Sequence, residues 1–144
     1  MKNFRLGKGF TLVELLIVII IIAVLAAIAI PKFANSSIRS KESALRSNLK
    51  IARDAIDIFR TDTGVFPGTI GDLAVTTAPA TGLDATGGSK AITAADWRGP
   101  YVQAAPNDPT NGGALGYVTT GATTGKVSAN NSGTASDGTL YSTW

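Results

Sequence analysis

Residues 8–30 read Lys8-Gly9-Phe10-Thr11-Leu12-Val13-Glu14, followed by LLIVIIIIAVLAAIAI and ending at Ile30. From Phe10 to Ile30 the 21 residues are apolar except for Thr11 and Glu14. About 20 such residues cross the hydrocarbon core of a bilayer as a helix. Inside lipid every backbone donor and acceptor must be paired within the segment, so one spanning segment has to be helical. Glu14 is the anomaly. A carboxylate near a helix centre opposes insertion by roughly 2.5–3.5 kcal/mol, and a place nearer the helix start lowers that figure without removing it. An acid kept there calls for a use.

Pro31 follows the apolar run, and the next stretch extends the helix. Leu45, Leu49, Ala52, Ile56 and Phe59 recur at steps of four and three, which marks one helical face. Ala44, Ile51, Ala55 and Ile58 widen that stripe to about half the circumference, with Arg46, Lys50, Arg53, Asp57 and Arg60 on the other side. A stripe this broad is expected to pack on the rest of the chain. The predicted helix runs from Phe10 to about Thr61, near 80 Å at 1.5 Å per residue. It ends at Thr61-Asp62-Thr63-Gly64, with Gly64 as C-cap and Pro67 preventing resumption. Pro31 removes one helix hydrogen bond and is expected to kink or loosen the helix.

Beyond the helix the signals weaken. Gly71–Ala74 suggests one short helical turn. Residues 76–95, rich in Thr, Ala and Gly, read as an exposed loop. Gly116–Thr120 and Lys126–Ala129 read as two strands joined by Gly121–Gly125, and Thr139–Tyr141 as a third. Asn130-Asn131-Ser132-Gly133 supplies turn chemistry between them. The expected fold class is α+β, a long N-terminal helix on a small three-stranded antiparallel sheet.

Composition narrows the chemistry. The 144 residues contain no cysteine and no histidine, which removes disulfides, thiolate nucleophiles, histidine bases and the usual zinc ligands. No nucleophile elbow or phosphate-cradling glycine loop is present, so no enzyme is expected. Lys2, Arg5 and Lys8 make residues 1–9 basic; without them the chain has ten basic and ten acidic side chains. Basic flanks stay cytoplasmic, which would place the remainder outside the inner membrane. Residues 32–60 hold seven basic and three acidic side chains, a composition suited to anionic membrane lipids. Nothing interleaves aromatics with these cations, so nucleic acid is not the expected partner.

Lys8-Gly9 followed by Phe10-Thr11-Leu12-Val13-Glu14 resembles the prepilin cleavage and methylation signal of type IV pilins and type II secretion pseudopilins. The resemblance implies a pilin-like fold and four regions: a leader over 1–9, a transmembrane helix over 10–30, its amphipathic continuation over 31–62, and a globular region over 63–144. It implies cleavage between Gly9 and Phe10 by a prepilin peptidase, and N-methylation of Phe10. Glu14 would set assembly register by pairing with the Phe10 amine of an adjacent copy, and Pro31 matches the helix-kinking proline of many members. The resemblance further implies a homopolymeric filament, a motor and an inner-membrane assembly platform. It places the chain in the inner membrane before assembly and in a periplasmic or surface filament afterwards.

A second resemblance runs through Gly64-Val65-Phe66-Pro67, Trp97-Arg98-Gly99-Pro100-Tyr101-Val102 and Pro106-Asn107-Asp108-Pro109, which together look like the major pseudopilin of type II secretion. Trp144 near the end fits the same pattern. This favours a subunit serving protein secretion, with a type IV pilin or minor pilin for adhesion, motility or DNA uptake as the alternative. The chain departs from the pattern at Asp108-Pro109-Thr110-Asn111-Gly112, where tryptophan and glycine are usual. Major pseudopilins bind calcium in an acidic C-terminal loop; here only Asp108 and Asp137 remain after Trp97 as weak candidates, so no cofactor is expected. Two readings of another class stay open: a membrane-anchored binding module with an incidental acid, and a secreted domain released by ordinary signal cleavage after Ala29.

Overall fold

Helix α1 occupies Leu12–Thr63, 52 residues, with Pro31 inside it. The computed structural model describes residues 9–144, so the leader proposed over 1–9 lies outside the described residues except for Gly9. The helix starts two residues later and ends two residues later than its sequence pattern suggests. Its end is set by Gly64, which has φ +71° and donates its N–H to the Arg60 carbonyl at 2.8 Å. That is the left-handed cap glycine adopts without a Cβ penalty.

The chain divides into two units at Ser37 and Ile38. In the first, the large apolar side chains from Phe10 to Ile30 are all between 48% and 87% exposed. Among the described residues this unit therefore buries none of its large apolar side chains, and α1 contains a stretch long and apolar enough to cross a membrane.

In the second unit, Leu45, Leu49, Ala52, Ala55, Ile56 and Phe59 of α1 are buried against Val65, Ile70, Leu73, Leu115, Val127 and Tyr141. Ile51 and Ile58, expected to widen this stripe, are instead 47% and 54% exposed. The core covers a narrower arc of α1 than the sequence pattern offered.

A 3-10 turn at Ile70–Leu73 follows, held by Thr69 and Asp72, whose carboxylate accepts from the Thr69 N–H at 2.9 Å. Among the described residues, six short strands then form three separate antiparallel ladders: β1 (Thr81–Leu83) with β2 (Ser89–Ala91), β3 (Asn107–Asp108) with β4 (Gly113–Ala114), and β5 (Gly116–Tyr117) with β6 (Val127–Ser128). The fold is thus α+β, as the sequence predicts, but the expected three-stranded sheet is replaced by two-stranded ladders. The β5–β6 hairpin is where it was expected, with Tyr117 opposite Val127. Residues 76–95 are not a loop throughout: Asp84 closes the β1–β2 hairpin by accepting from Thr86 N and Gly88 N, both at 2.8 Å. Thr139–Tyr141 is not a third strand. Thr134 and Leu140 form a lone bridge, and Tyr141–Thr143 turn into a 3-10 helix, because Asp137 draws Thr139 into a tight turn.

The aromatic motifs are structural. Tyr101 packs on Phe59 at a ring distance of 5.3 Å and edge-on to Trp97 at 6.3 Å. Its hydroxyl donates to Asp62 at 3.0 Å and accepts from the Arg98 N–H at 3.1 Å. Burial pushes the Tyr101 phenol above its ordinary range, and the neighbouring Asp62 carboxylate adds to this. Phe66 lies under the Arg60 guanidinium at 4.5 Å and bridges to Leu83, which ties the Gly64–Pro67 turn to β1.

Candidate functional site

Gly9 and Phe10 precede α1 and are exposed, Phe10 by 81%. A Cβ built on Gly9 would meet nothing within 4 Å, so glycine is not required there by crowding within the chain.

Thr11 stands at the N-cap of α1 and Glu14 three residues further on. The Thr11 N–H and hydroxyl donate to Glu14 Oε2 at 2.8 and 2.9 Å, and the Glu14 N–H donates to Thr11 Oγ1 at 3.2 Å. This reciprocal arrangement is a capping box. It satisfies two of the four N-terminal N–H groups that a helix leaves unpaired. It also holds a negative charge at the positive end of the helix dipole. The anomalous acid therefore has three local bonds within its own chain. Sequence reasoning weighed Glu14 against the Phe10 amine and passed over Thr11, although the spacing of threonine and glutamate at 11 and 14 carries that signal.

The second unit contains a polar cluster that the sequence did not reveal. Glu42 is 5% exposed, yet no cation pairs with it among the described residues. It accepts from the Ser136 N–H at 2.7 Å, from the Ser136 hydroxyl, and from the Tyr141 hydroxyl at 2.9 Å. These donors, the Ser136 hydroxyl foremost, hold the Glu42 carboxyl below its ordinary range against the opposing effect of burial. Burial, aided by Glu42, raises Tyr141. One turn along α1, Arg46 pairs with Asp137 at 2.6 Å and lies 4.0 Å from the Trp144 ring. Arg53 donates to the main-chain oxygens of Trp144 and Val127 at 2.5 and 3.0 Å. Glu42, Arg46 and Arg53 thus clasp residues 127–144 to α1.

The two weak calcium candidates are both occupied by protein donors. Asp108 is fully buried; its Oδ1 accepts from Thr110 N and Oγ1 at 2.9 and 2.5 Å, and its Oδ2 from Asn130 N at 3.1 Å. Asp137 accepts from the Thr139 hydroxyl and N–H at 2.6 and 3.0 Å and pairs with Arg46. The Thr139 hydroxyl is the main reason its carboxyl is lowered to about 2. Calcium takes six to eight oxygens, several from carboxylates. Carboxylates already facing N–H and guanidinium donors do not fit that need, and among the described residues no three acidic, histidine or cysteine side chains gather.

A long helix with a bare apolar first unit, a capping-box acid at its start and a small sheet region make this a pilin-like α+β protein. Residues 5–30 match the prokaryotic N-terminal methylation motif. The chain is 58% identical over 44 residues to the type IV major pilin protein PilA of Myxococcus xanthus, covering 31% of this chain and 20% of that protein. To the type IV major fimbrial protein FimA of Dichelobacter nodosus it is 52% identical over 52 residues, 36% of this chain and 33% of that one. It is also 27% identical over 108 residues to the type II secretion system core protein G of Pseudomonas aeruginosa, covering 71% and 76% of the two chains. No solved structure matches the chain. The chain therefore carries the prepilin methylation motif and has type IV pilins, fimbrial proteins and a type II secretion pseudopilin as homologues. Its matches span only a fifth to a third of the length of the pilin and fimbrial relatives. Pilins and pseudopilins are structural rather than catalytic proteins.

Proposed function

We propose that this protein is the subunit of a helical filament, cut between Gly9 and Phe10 by a prepilin peptidase and polymerised through the first unit of α1. One observation carries the reading: an apolar helical segment exposed on every side, with a satisfied acid at its start. Such a surface is stable only in lipid or against other helices. It starts in the bilayer with residues 1–9 on the cytoplasmic side and moves into a bundle of neighbouring helices. On transfer, Glu14 exchanges part of its capping box for the Phe10 amine of an adjacent copy, because a buried charge is tolerated when partnered. Pro31 gives the helix a place to adjust, and an inner-membrane platform and motor drive the transfer.

Between the two kinds of filament, we favour a type II secretion pseudopilus. The supporting observation is the match to core protein G, which extends beyond the N-terminal helix over 71% of the chain. The higher identity to PilA and FimA supports a type IV pilus instead, over no more than 36% of the chain. The deciding experiment is N-terminal sequencing and intact mass of the protein from membrane and sheared-surface fractions. A start at Phe10 carrying one added methyl group is expected. Recovery from the membrane and periplasm but not from sheared surface material supports the pseudopilus; abundance in sheared material supports the pilus. A start at Ile30 would overturn the filament reading.

A further inference from the structure

A partly open cavity of about 260 Å³ lies within the second unit, lined by Ile38, Lys41, Thr110, Asn131, Thr134 and Tyr141. Much of its polar wall is fixed from behind by buried acids. The Thr110 hydroxyl donates to Asp108 at 2.5 Å, and the Tyr141 hydroxyl donates to Glu42 at 2.9 Å. Asn131 is held at both ends of its amide: Nδ2 donates to Thr110 Oγ1 at 3.0 Å, and Oδ1 accepts from the Gly133 N–H at 2.8 Å. A binding site needs its side chains locked by further contacts of this kind. The lining groups left without a partner among the described residues are the Lys41 ammonium, the Thr134 hydroxyl and the second amide hydrogen of Asn131.

We infer that this cavity binds one neutral sugar residue, a role independent of the filament reading above. The free groups are mainly donors, so the ligand must offer oxygen lone pairs. Glu42 and Asp108 lie buried behind the wall with no paired cation among the described residues, and their charge repels an anion. The exposed Lys41 ammonium repels a cation. A neutral, oxygen-rich molecule satisfies all three conditions, and a sugar hydroxyl both accepts and donates. Ile38 and the Tyr141 ring give the C–H face of the sugar an apolar surface, and ligand pockets combine such surfaces with a few placed polar groups. Drug-sized ligands occupy pockets of about 300–1,000 Å³, so this smaller cavity takes a single ring. The buried acids do not meet the ligand; they aim the hydroxyls of Thr110 and Tyr141 inward and so fix the shape of the wall.

The test is saturation-transfer NMR on the full chain in a detergent without a sugar head group. The probes are methyl glucoside, methyl galactoside and N-acetylglucosamine, with inorganic phosphate as the anionic comparison. At least one of the sugars is expected to bind with a millimolar dissociation constant. Thr134→Val and Lys41→Met each remove one hydrogen bond to it and are expected to weaken binding about three- to tenfold. Both residues are exposed, so the melting temperature should hold, and Thr134→Ser, which keeps the hydroxyl, should bind as the unmodified chain does. Three results would overturn the proposal: no transfer to any of the three sugars at about 50 mM, equal affinity in Thr134→Val, Lys41→Met and the unmodified chain, or phosphate displacing the sugar at equal concentration.

Discussion

Phe59 and Ile58 are neighbours on α1 with opposite surroundings, and truncating each to alanine tests where the core lies. Phe59 is fully buried and packs on Tyr101 at 5.3 Å. Phe→Ala in a core removes about 3–5 kcal/mol, part transfer and part cavity. Loss of the aromatic pair adds about 0.5–1.5 kcal/mol where it is not already counted in that range. A domain of this size has about 5–15 kcal/mol in all, so Phe59→Ala removes a large share. Near 100 residues each kcal/mol shifts the melting temperature by about 4 °C, which gives a fall of about 12–20 °C. Ile58 is 54% exposed, and alanine's higher helix propensity offsets part of its lost contact, so Ile58→Ala is expected to cost less than about 1 kcal/mol. The assay is thermal unfolding of the full chain in detergent, followed by near-ultraviolet circular dichroism from Trp97, Tyr101 and their neighbours. Equal falls for the two variants would refute the assignment of the core face, and with it the exposed positions of Ile51 and Ile58.

Glu14→Ala is expected to be cleaved and methylated normally yet stay in the membrane fraction; its recovery in filaments at the normal level would remove Glu14 from assembly. Thr11→Val breaks the capping box whereas Thr11→Ser keeps it, so filament yield should fall in the first and hold in the second; equal yields would mean that the box is dispensable. Asp137 has its folded pKa depressed to about 2, so its contribution is present above the unfolded value near 3.9 and is lost as pH falls through about 2. Urea midpoints between pH 5 and pH 2 should therefore drop with acid, and less steeply in Asp137→Asn; parallel slopes would sink this attribution. Gly125 has φ +87°, and a Cβ there would run into the Phe66 ring, so Gly125→Ala should destabilise by about 1–3 kcal/mol, and an unchanged melting temperature would contradict that crowding.

The helix was legible because its signals are local and repeated. An apolar stretch of membrane length, a three-and-four stripe ending at Phe59, and Gly64 before Pro67 each act within a few residues of their effect. The β5–β6 hairpin was legible for the same reason, since its turn lies between Tyr117 and Val127. The other ladders were not. Strands of two or three residues carry too little alternation to stand out, and β1–β2 is closed by Asp84 and its Thr86 and Gly88 partners rather than by an apolar pattern. Thr139–Tyr141 looked like a strand because leucine and tyrosine favour one, and the Asp137 turn overrode that preference. At the N-terminus the motif located Glu14, and what was overlooked was its partner three residues away.

Of the acids of α1, Glu14 and Glu42 are the informative pair, and Glu42 helps explain how so small a core holds the second unit together. Glu14 and Glu42 are both satisfied by hydroxyl and N–H donors rather than by cations. At Glu14 all donors come from one residue of the same turn, so the acid can release one bond to a new partner while the helix start stays capped. At Glu42 the donors come from Ser136 and Tyr141, more than 90 residues along the chain, and releasing them would free the segment that Arg46 and Arg53 also hold. Residues 127–144 contribute few large apolar side chains to the core, chiefly Val127 and Tyr141. Hydrogen bonds to charged groups are stronger than those between neutral ones. A buried acid on the helix therefore fixes the position of a segment that apolar contact alone would hold weakly. In the assembly proposed above, the same residue type serves exchange at one place on the helix and anchorage at the other, and the difference lies in how far along the chain its donors are.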